Sequence, residues 1–550
     1  MQNVLKVHPS DNVLVALRDL EAGASVRFRE ESLELKEAVP AKHKIAVADI
    51  AGGEMLYMYG ICVGVATEAI PSGSRITTEN VRHATGSYKV NGAGKTAWDA
   101  PDVRKWKDQT FMGYHREDGS VGTANYWIVL PLVFCENRNV EAIRDAFNDL
   151  FNPGGGMYYK QFLQELSKQH QQGKTIEELL QYELPADDYE YTRSPIFPNI
   201  DGIKFLAHSM GCGGTRDDAR TLCGLLAGYI THPNVAGATV LSLGCQNAQI
   251  ALLKEEINLR LPAYERPLYV LEQQQIGSEK EMLSKALKLT YTGLIKANEQ
   301  EREAAPVSKL CLGMECGGSD GFSGISANPA VGKAADKLVA SGGTVILSEF
   351  PELCGVEQEL SDRCVSGELA GKFLELMQNY NRRAEAVGSG FDANPSPGNI
   401  RDGLVTDAIK SAGAARKGGS SPVVDVLDYP EKVTRPGLNL LCTPGNDVES
   451  TTAEVAAGAN IVLFTTGLGT PTGNPIAPVI KISSNTSLFR RMRDIIDIDA
   501  GSVIEGKETL DEVSDRILEF VLEVASGRRK PKAQQLSQDD FIPWKRGVSL

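Results

Sequence analysis

The chain has 550 residues, 42% of them hydrophobic and 23% charged, so its length predicts two to four domains of ordinary globular composition. Its net charge of -14 at pH 7 argues against nucleic-acid binding, which needs a basic surface, and against docking on an anionic membrane. The longest apolar run is far shorter than the ~20 residues that cross a bilayer, and the first residues show no secretory signal. We therefore expect a cytoplasmic protein.

Three parts follow one another along the chain. Residues 1–86 contain short β-branched runs separated by Gly, Pro and charged turns, which predicts a small β-rich domain. Residues 87–110 have neither a helical period nor an apolar face and are interpreted as a linker. Apolar strands then alternate with helical stretches, which is typical of a parallel α/β sheet, in a middle domain, 111–305, and a C-terminal domain, 306–550. A polar stretch, 152–198, is interpreted as an insertion into the middle domain.

Cysteines follow four of the predicted strands. The ten cysteines are not expected to form disulfides in a reducing compartment, so each is a buried apolar residue, a metal ligand or a reactive thiol. Four stand at the ends of apolar runs: Cys135, Cys212, Cys245 and Cys316. Because ligands bind outside the carboxyl ends of parallel strands, we predict that these four thiols converge at one sheet edge. Thiolates favour iron, iron–sulfur clusters or zinc over magnesium and calcium.

Other chemically active residues are predicted at the same edge. His208 ends a predicted strand and is either a ligand, a general base or a satisfied structural histidine. Ser319 and Asp320 follow Cys316, and Glu349 ends the next predicted strand. The alternative for these side chains is helix capping or an interaction with a helix dipole.

Three glycine-rich loops, SMGCGGT, CGGSDGFSG and TTGLGTPTG, have the composition of anion-binding loops. None of them matches the dinucleotide fingerprint, and the GxxxxGK[ST] phosphate loop is absent from the sequence. The loops therefore give little support to a nucleotide-dependent enzyme.

Four longer segments resemble the altronate and galactarate dehydratase family: ECGGSDGFSGISANPAVG, NPSPGN, FTTGLGTPTG and GYHREDGSVGTANY. The resemblance extends over essentially the whole chain, and the opening MQNVLKVHPSDNVLVAL favours the branch that acts on D-altronate. It implies an N-terminal SAF-type β-clip domain, a dimerising middle domain and a Rossmann-like C-terminal domain, and hence a homodimer. The implied reaction converts D-altronate to 2-dehydro-3-deoxy-D-gluconate and water in hexuronate catabolism.

The implied chemistry begins with the proton on C2 of a sugar acid. Removing this proton builds charge on the neighbouring carboxylate, and a bound metal ion spreads that charge. A base takes the proton, and an acid protonates the departing C3 hydroxyl. The resemblance implies Fe²⁺, with Mn²⁺ as a substitute and an iron–sulfur cluster as an open alternative.

The resemblance also implies roles for individual residues. His43, in the KHK segment of the first domain, is predicted to act as an acid or base; the alternative is a surface turn histidine. The predicted catalytic residues are His43, His208, Asp320 and Glu349. The predicted substrate-binding residues are Arg116, Asn125, Ser319, Asn328, Asn399 and Lys481. The predicted metal ligands are Cys135, Cys212, Cys245 and Cys316.

Three positions depart from the family pattern. Gln246 stands where a carboxylate is usual, Leu468 where an arginine is usual, and Ile400 where a lysine is usual. These changes leave the sugar acid open, with galactarate or another aldonate or aldarate as alternatives. A sulfolactate C–S lyase of the same family is a further alternative, although such relatives usually divide these domains between two subunits. From other classes, a Rossmann oxidoreductase and a non-catalytic sugar-acid binder remain alternatives.

Overall fold

A computed structural model describes residues 3–28, 31–86, 97–151, 157–183 and 196–549, with the backbone alone for 149–151 and 157–161. The described part of the N-terminal domain is built from strands alone. They are β1 (Val4–Leu5), β2 (Val13–Ala16), β3 (Ser25–Phe28), β4 (Glu31–Glu34), β5 (Lys44–Ala46), β6 (Met55–Met58), β7 (Ile61–Ala66), β8 (Arg75–Ile76) and β9 (Val81–Arg82). They form antiparallel sheets in the orders β1-β2-β5-β8, β6-β7-β9 and β3-β4.

Strand β2 is buried on both faces. Because successive side chains of a strand point to opposite sides, Leu14 and Ala16 pack in the domain's own core, whereas Val13 and Val15 join a core shared with the C-terminal domain. The N-terminal domain is therefore packed directly against the C-terminal domain.

The middle domain contains a parallel sheet of four strands in the order β13-β12-β14-β15. The strands of the whole domain are β10 (Thr110–His115), β11 (Val121–Gly122), β12 (Tyr126–Pro131), β13 (Gly202–Phe205), β14 (Val235–Ser242), β15 (Leu268–Glu272) and β16 (Glu303–Pro306). Its helices are α1 (Asn137–Phe151), α2 (Met157–Gln171), α3 (Ile176–Leu180), α4 (Arg216–Ile230), α5 (Ile250–Arg260), α6 (Gln273–Ile276) and α7 (Glu279–Ala297). Strand β16 returns to pair with β10, so the ends of this domain meet.

The C-terminal domain is built on a parallel sheet of seven strands in the order β19-β20-β18-β17-β21-β22-β23. The strands are β17 (Cys311–Cys316), β18 (Thr344–Leu347), β19 (Val423–Leu427), β20 (Gly437–Leu441), β21 (Ile461–Thr466), β22 (Val479–Ser483) and β23 (Ile498–Asp499). The helices are α8 (Ala327–Ala340), α9 (Glu357–Arg363), α10 (Gly367–Ala386), α11 (Pro397–Arg401), α12 (Asp407–Ala414), α13 (Asp447–Ala457), α14 (Thr486–Arg491), α15 (Leu510–Ala525) and α16 (Lys532–Gln535). The central strands are buried throughout, as expected when helices cover both faces.

The predicted fold class, a β-rich N-terminal domain followed by parallel α/β sheets, is confirmed. Of the predicted linker, residues 97–109 are described; they form turns rather than a strand, and they bury Trp106 in the core of the C-terminal domain. Of the predicted insertion, 152–156 and 184–195 lie outside the described residues, and α2 and α3 occupy the part between them. No described helix is both long and apolar enough to cross a membrane.

Candidate active site

Strand β17 lies where the order of the seven-stranded sheet changes direction. The chain adds β18, β19 and β20 on one side of β17 and then places β21, β22 and β23 on the other. In open parallel sheets, ligands bind outside the carboxyl ends of the strands at such a switch point. The carboxyl end of β17 is therefore the candidate active-site edge.

Titratable side chains are concentrated at this edge, mostly shielded from solvent. We call them the carboxylate–lysine cluster: Glu315, Cys316, Glu349, Glu352, Lys410, Lys417, Asp447 and Glu454. Six of the eight are at most 2% exposed, the exceptions being Lys410 and Asp447. Five carboxyl groups face two lysines, so the cluster must hold protons or a further cation to be electrically balanced.

Lys417 connects Glu349 with the thiol of Cys316. Its ammonium donates to Cys316 Sγ at 3.0 Å and forms an ion pair with Glu349. The Cys316 thiol lies 3.2 Å from Glu352 Oε2. Contacts through Lys417 and Cys316 therefore link Glu349 with Glu352.

Glu349 has a strained backbone. Its φ of 62° and ψ of 59° lie in the left-handed region, which costs a residue other than glycine roughly 1–3 kcal/mol. The surrounding structure holds it there, because its N–H donates to Thr443 Oγ1 at 2.8 Å and its carboxylate is paired with Lys417. Such strained residues concentrate at functional sites.

Four carboxyl groups of the cluster have raised pKa values and therefore retain their protons to unusually high pH. Burial, followed by the charge of Glu349, raises the pKa of Glu315 well above its usual value. Burial and the neighbouring Glu352 likewise raise the pKa of Glu349. Burial raises the pKa of Glu454 to about 8 and that of Asp447 to about 7. Near neutral pH, protons on these groups supply part of the missing positive charge.

The raised pKa of Glu454 predicts a pH dependence of stability. The folded chain keeps this proton between about pH 4.5 and about pH 8, where the unfolded chain has lost it, so stability falls as pH rises through that window. Glu454→Gln removes this contribution, and we expect the variant to lose less unfolding free energy between pH 5 and pH 8.5, by about 4 kcal/mol. Urea unfolding at both pH values measures the difference. Parallel pH profiles for the two proteins would contradict the prediction.

A cavity of about 540 Å³ opens beside the cluster. Arg383 and Lys545 contribute positive charge to its wall, and Tyr380 and Trp544, whose stacked rings have centroids 5.6 Å apart, contribute an aromatic surface. This combination suits an anionic ligand of small size.

Glu352 and Lys410 form the part of the cluster nearest to this cavity. Asn394, which lines the cavity, donates to Glu352 Oε1 at 3.3 Å and accepts from Lys410 Nζ at 3.0 Å. Glu352 and Lys410 are ion-paired. Burial disfavours the ionised form of Glu352, but Lys410 and Lys417 outweigh burial and lower its pKa. Asn394 thus connects the cavity wall with the Glu352–Lys410 ion pair.

On the other side of β17, Asp320 joins the N-terminal domain to the sheet edge. The Asp320 carboxylate is fully buried and accepts from six donors. They are the N–H of Phe322 (3.1 Å), the N–H and hydroxyl of Ser323 (both 2.9 Å), the hydroxyl of Ser484 (2.7 Å), the amide of Asn485 (3.1 Å) and the ammonium of Lys42 (3.1 Å). We call the contact between Asp320 and Lys42 the latch. It gives the predicted residue Asp320 a clear role in domain docking.

His43 lies next to the latch, at the seam between the two domains. Its Nε2 lies 3.1 Å from the Arg401 carbonyl oxygen, and its buried Nδ1 has no hydrogen-bond partner among the described residues. Burial lowers the pKa of His43, so the ring is neutral at physiological pH. The neighbouring Lys44 is fully buried, with a pKa lowered to about 7 by burial, and it donates to the Gly403 carbonyl at 2.6 Å. A catalytic role for His43 stays a prediction.

His208 lies in the middle domain, away from the cluster. Its Nε2 is 2.9 Å from the Pro131 carbonyl oxygen, and its Nδ1 accepts from the Met210 N–H at 3.1 Å. Burial lowers its pKa to about 4. Both ring nitrogens are therefore occupied by backbone groups, which is the geometry of a structural histidine.

The prediction that four thiols converge at one sheet edge is wrong. Cys135, Cys212 and Cys245 follow β12, β13 and β14 of the four-stranded sheet, whereas Cys316 ends β17 of the seven-stranded sheet. The first three thiols are exposed and Cys316 is buried. Asn247 donates to the Cys212 carbonyl at 3.0 Å and so joins two of the three loops. Metal ligation by these thiols stays a prediction.

Three predicted substrate-binding residues lie apart from the cavity. Arg116 is buried in the middle domain and donates to the Pro233 carbonyl at 2.7 Å and to Asn125 Oδ1 at 2.9 Å. Asn125 donates to two further carbonyl groups. Lys481, on β22, donates to Gln538 Oε1 at 2.5 Å, and burial lowers its pKa to about 8. Each of these side chains already has internal hydrogen-bond partners.

The other three lie around the glycine loop after β17. Asn399 donates to the Ser319 carbonyl at 2.7 Å, and Asn328 donates to the Gly413 carbonyl at 3.0 Å. Two of the family departures are also here, since Ile400 follows Asn399 and the Leu468 N–H donates to the Gly318 carbonyl at 2.9 Å. Loss of charge at these two positions therefore affects the same loop.

The Gln246 side chain forms hydrogen bonds within the loop after β14. Its amide oxygen accepts from the Gly244 N–H at 2.8 Å, and its nitrogen donates to Ser242 Oγ at 2.7 Å and to the Ala248 carbonyl at 3.1 Å. A carboxylate has no proton to donate to the Ala248 carbonyl, so the amide is suited to this loop.

Sequence reasoning missed much of the cluster. Lys410 and Lys417 stand in the segments DAIKSAG and ARKGGS, which carry no motif. For Lys410 the available signal is a lysine within a run of small and apolar residues, where a charged side chain that becomes buried needs a partner.

Three family profiles match successive parts of the chain. Residues 2–84 match the altronate/galactarate dehydratase SAF domain. Residues 113–298 match the second domain of D-galactarate dehydratase/altronate hydrolase, and residues 307–549 match the C-terminal domain of D-galactarate/altronate dehydratase. These limits follow the three structural domains.

The chain is also similar to curated bacterial enzymes over nearly its full length. It is 33% identical to the altronate dehydratase of Bacillus subtilis, covering 96% of each chain, and 34% identical to that of Escherichia coli, covering 94% of each. It is 33% identical to the galactarate dehydratase (L-threo-forming) of Escherichia coli, covering 96% of this chain and 94% of that one. The resemblance inferred from the sequence motifs is confirmed.

Proposed function

Because the chain belongs to the altronate and galactarate dehydratase family and is an enzyme of the hydro-lyase type, we propose that it dehydrates D-altronate to 2-dehydro-3-deoxy-D-gluconate in hexuronate catabolism. The observation that carries the proposal is the Glu352–Lys410 ion pair, which Asn394 connects to a cavity with basic walls. The proposal places the enzyme in the cytoplasm as a homodimer, as the family resemblance implies.

Asn394, Lys410 and Glu352 each have a role in the proposed reaction. Lys410 and Asn394 hold the substrate carboxylate and stabilise the charge that develops on it. Glu352 accepts the proton from C2; the C2–H electron pair forms the C2=C3 double bond as the C3–O bond breaks. The departing hydroxyl takes up the proton that Glu352 has accepted and leaves as water, which returns Glu352 to its carboxylate form, and the enol then becomes the 2-keto acid.

The Fe²⁺ implied by the resemblance does not fit the carboxylate–lysine cluster as it stands. Ligand atoms of Cys316, Glu349 and Glu352 lie within 4.8 Å of one another. The Lys417 ammonium contacts Cys316 and Glu349, and Lys410 contacts Glu352, so two cations already lie against these three side chains. A divalent metal, when bound, supplies Lewis-acid stabilisation of negative charge. No step above depends on it.

The test is formation of a 2-keto acid, followed by semicarbazone absorbance, with anaerobically purified protein supplied with Fe²⁺. D-altronate, galactarate and sulfolactate are compared at equal concentrations. Turnover of D-altronate with the highest kcat/KM supports the proposal. A preference for galactarate would support the dehydration reaction but reject D-altronate as the substrate. Release of sulfite from sulfolactate would reject both the proposed substrate and the proposed reaction.

A further inference from the structure

A second group of ligand-type side chains lies at the seam between the N-terminal and C-terminal domains. His83 follows β9, Cys354 follows the short turn of 3₁₀-helix that begins at Phe350, and Asp407 is the first residue of α12. One ligand atom from each of these three residues lies within 4.8 Å of the other two. The three residues come together only because the N-terminal domain is docked.

Neighbouring contacts hold this seam closed. Thr406 Oγ1 donates to the Val63 carbonyl of β7 at 2.8 Å. Gly355 lies against the Thr85 side chain, and its φ of +91° is one that residues with a Cβ rarely adopt. The position of His83 relative to Cys354 is therefore set by packing on both sides of the seam.

Asp407 is a buried carboxylate with few partners. Its side chain is 2% exposed and faces His83 Nδ1 as an ion pair. Neither of its oxygens accepts a well-formed hydrogen bond from the described residues. The contact with His83 therefore leaves room in the shell of this buried carboxylate for a further cation.

The surroundings add negative charge. Glu357 and Asp392 line the adjoining cavity of about 600 Å³, together with Glu385, against a single arginine, Arg82. A cysteine binds a metal ion as its thiolate, so metal binding at Cys354 releases a proton.

We propose that His83, Cys354 and Asp407 bind one divalent transition-metal ion. An imidazole nitrogen, a thiolate and a carboxylate suit Fe²⁺, Co²⁺ or Zn²⁺ and are a poor set for Mg²⁺ or Ca²⁺. Three protein ligands leave at least one position of the ion open toward the cavity, as in catalytic rather than structural sites.

The site adjoins the carboxylate–lysine cluster. Cys354 comes two residues after Glu352, and Asp407 lies at i,i+3 from Lys410 on α12, where side chains are neighbours on one face. The cavities beside the two groups share the lining residues Ser389, Gly390 and Phe391. A metal ion here lies beside the proposed proton-transfer pair without displacing either lysine.

The test is titration of chelator-treated full-length protein with Co²⁺ under anaerobic conditions. We expect one Co²⁺ per chain, with a thiolate-to-cobalt charge-transfer band. Cys354→Ser removes the band, and His83→Gln and Asp407→Asn each weaken Co²⁺ binding by at least about tenfold. The control is Cys62→Ser, which changes a partly buried thiol in the N-terminal domain. This variant should keep both the band and the affinity.

The outcomes separate this site from the proposed reaction. A band that survives Cys354→Ser but disappears in Cys245→Ser or Cys316→Ser would place the ion elsewhere and overturn the inference, as would the absence of stoichiometric Co²⁺ binding. Thermal unfolding shows whether each variant is folded. Co²⁺ binding with the expected spectrum, in a protein that does not turn over D-altronate, would sustain the site and reject the substrate.

Discussion

Glu352→Gln is expected to lower kcat/KM for 2-keto acid formation by about 10²- to 10⁴-fold, the usual contribution of a general base. The amide keeps the volume of the side chain and its contact with Asn394, but it cannot accept the C2 proton or balance the charge of Lys410. Steady-state kinetics with D-altronate measure the effect. Most of the loss should appear in kcat, because the substrate carboxylate is still held by Lys410 and Asn394.

A matched control separates this role from a general effect of removing a carboxylate. Glu431→Gln removes an exposed carboxylate that pairs with Lys372 on the surface, and we expect it to change kcat/KM by less than about twofold. If Glu352→Gln retained a kcat within about threefold of the parent while remaining folded, the assignment of Glu352 as the proton acceptor would be rejected. Lys410→Met should instead raise KM as well as lower kcat, since it removes the group that holds the carboxylate.

Asp320→Ala is expected to release the N-terminal domain from the sheet edge. The change deprives five protein N–H and O–H donors of their acceptor and leaves Lys42 without one of its two carboxylates, so we expect the stability of the docked state to fall by about 3–5 kcal/mol. Hydrogen–deuterium exchange of peptides covering residues 40–46 should rise, because these residues lie against the edge. Urea unfolding measures the loss of free energy.

The control for the latch is Asp402→Asn. Asp402 also pairs with Lys42, at 2.5 Å, but its side chain is 29% exposed, so its loss should cost no more than about 1 kcal/mol. Equal effects of the Asp320 and Asp402 variants on exchange at residues 40–46 would show that burial of the Asp320 carboxylate does not decide docking. The same experiment reports whether His43 becomes exposed, since it lies between Lys42 and Lys44.

The fold class was accessible from the sequence because it depends on local patterns. The alternation of apolar strands with helical stretches after residue 110 predicts parallel sheets, and both sheets are parallel in their cores. The β-rich character of the first domain was equally visible in its short runs and turns. Family-specific segments such as ECGGSDGFSG extended the fold prediction to the whole chain.

The candidate site was only partly accessible. Glu349 and Cys316 were identified because each ends an apolar run, and a strand end is a local feature. His208 has a similar local signal, yet both of its ring nitrogens contact backbone groups in the middle domain. Whether a polar side chain is satisfied depends on neighbours distant in sequence, which periodicity does not report.

By itself, the sequence determined the order and type of the elements, the family and the residues at the strand ends, because these follow from short-range periodicity, turn chemistry and motif identity. The tertiary structure alone decided which strand ends share a sheet, and it separated Cys316 from the other three predicted thiol ligands. It also brought Lys417 to Cys316, 101 residues away, and placed His83 beside Cys354 across a domain seam. These contacts depend on sheet order and on helix and domain packing, which arise from long-range burial of apolar surface.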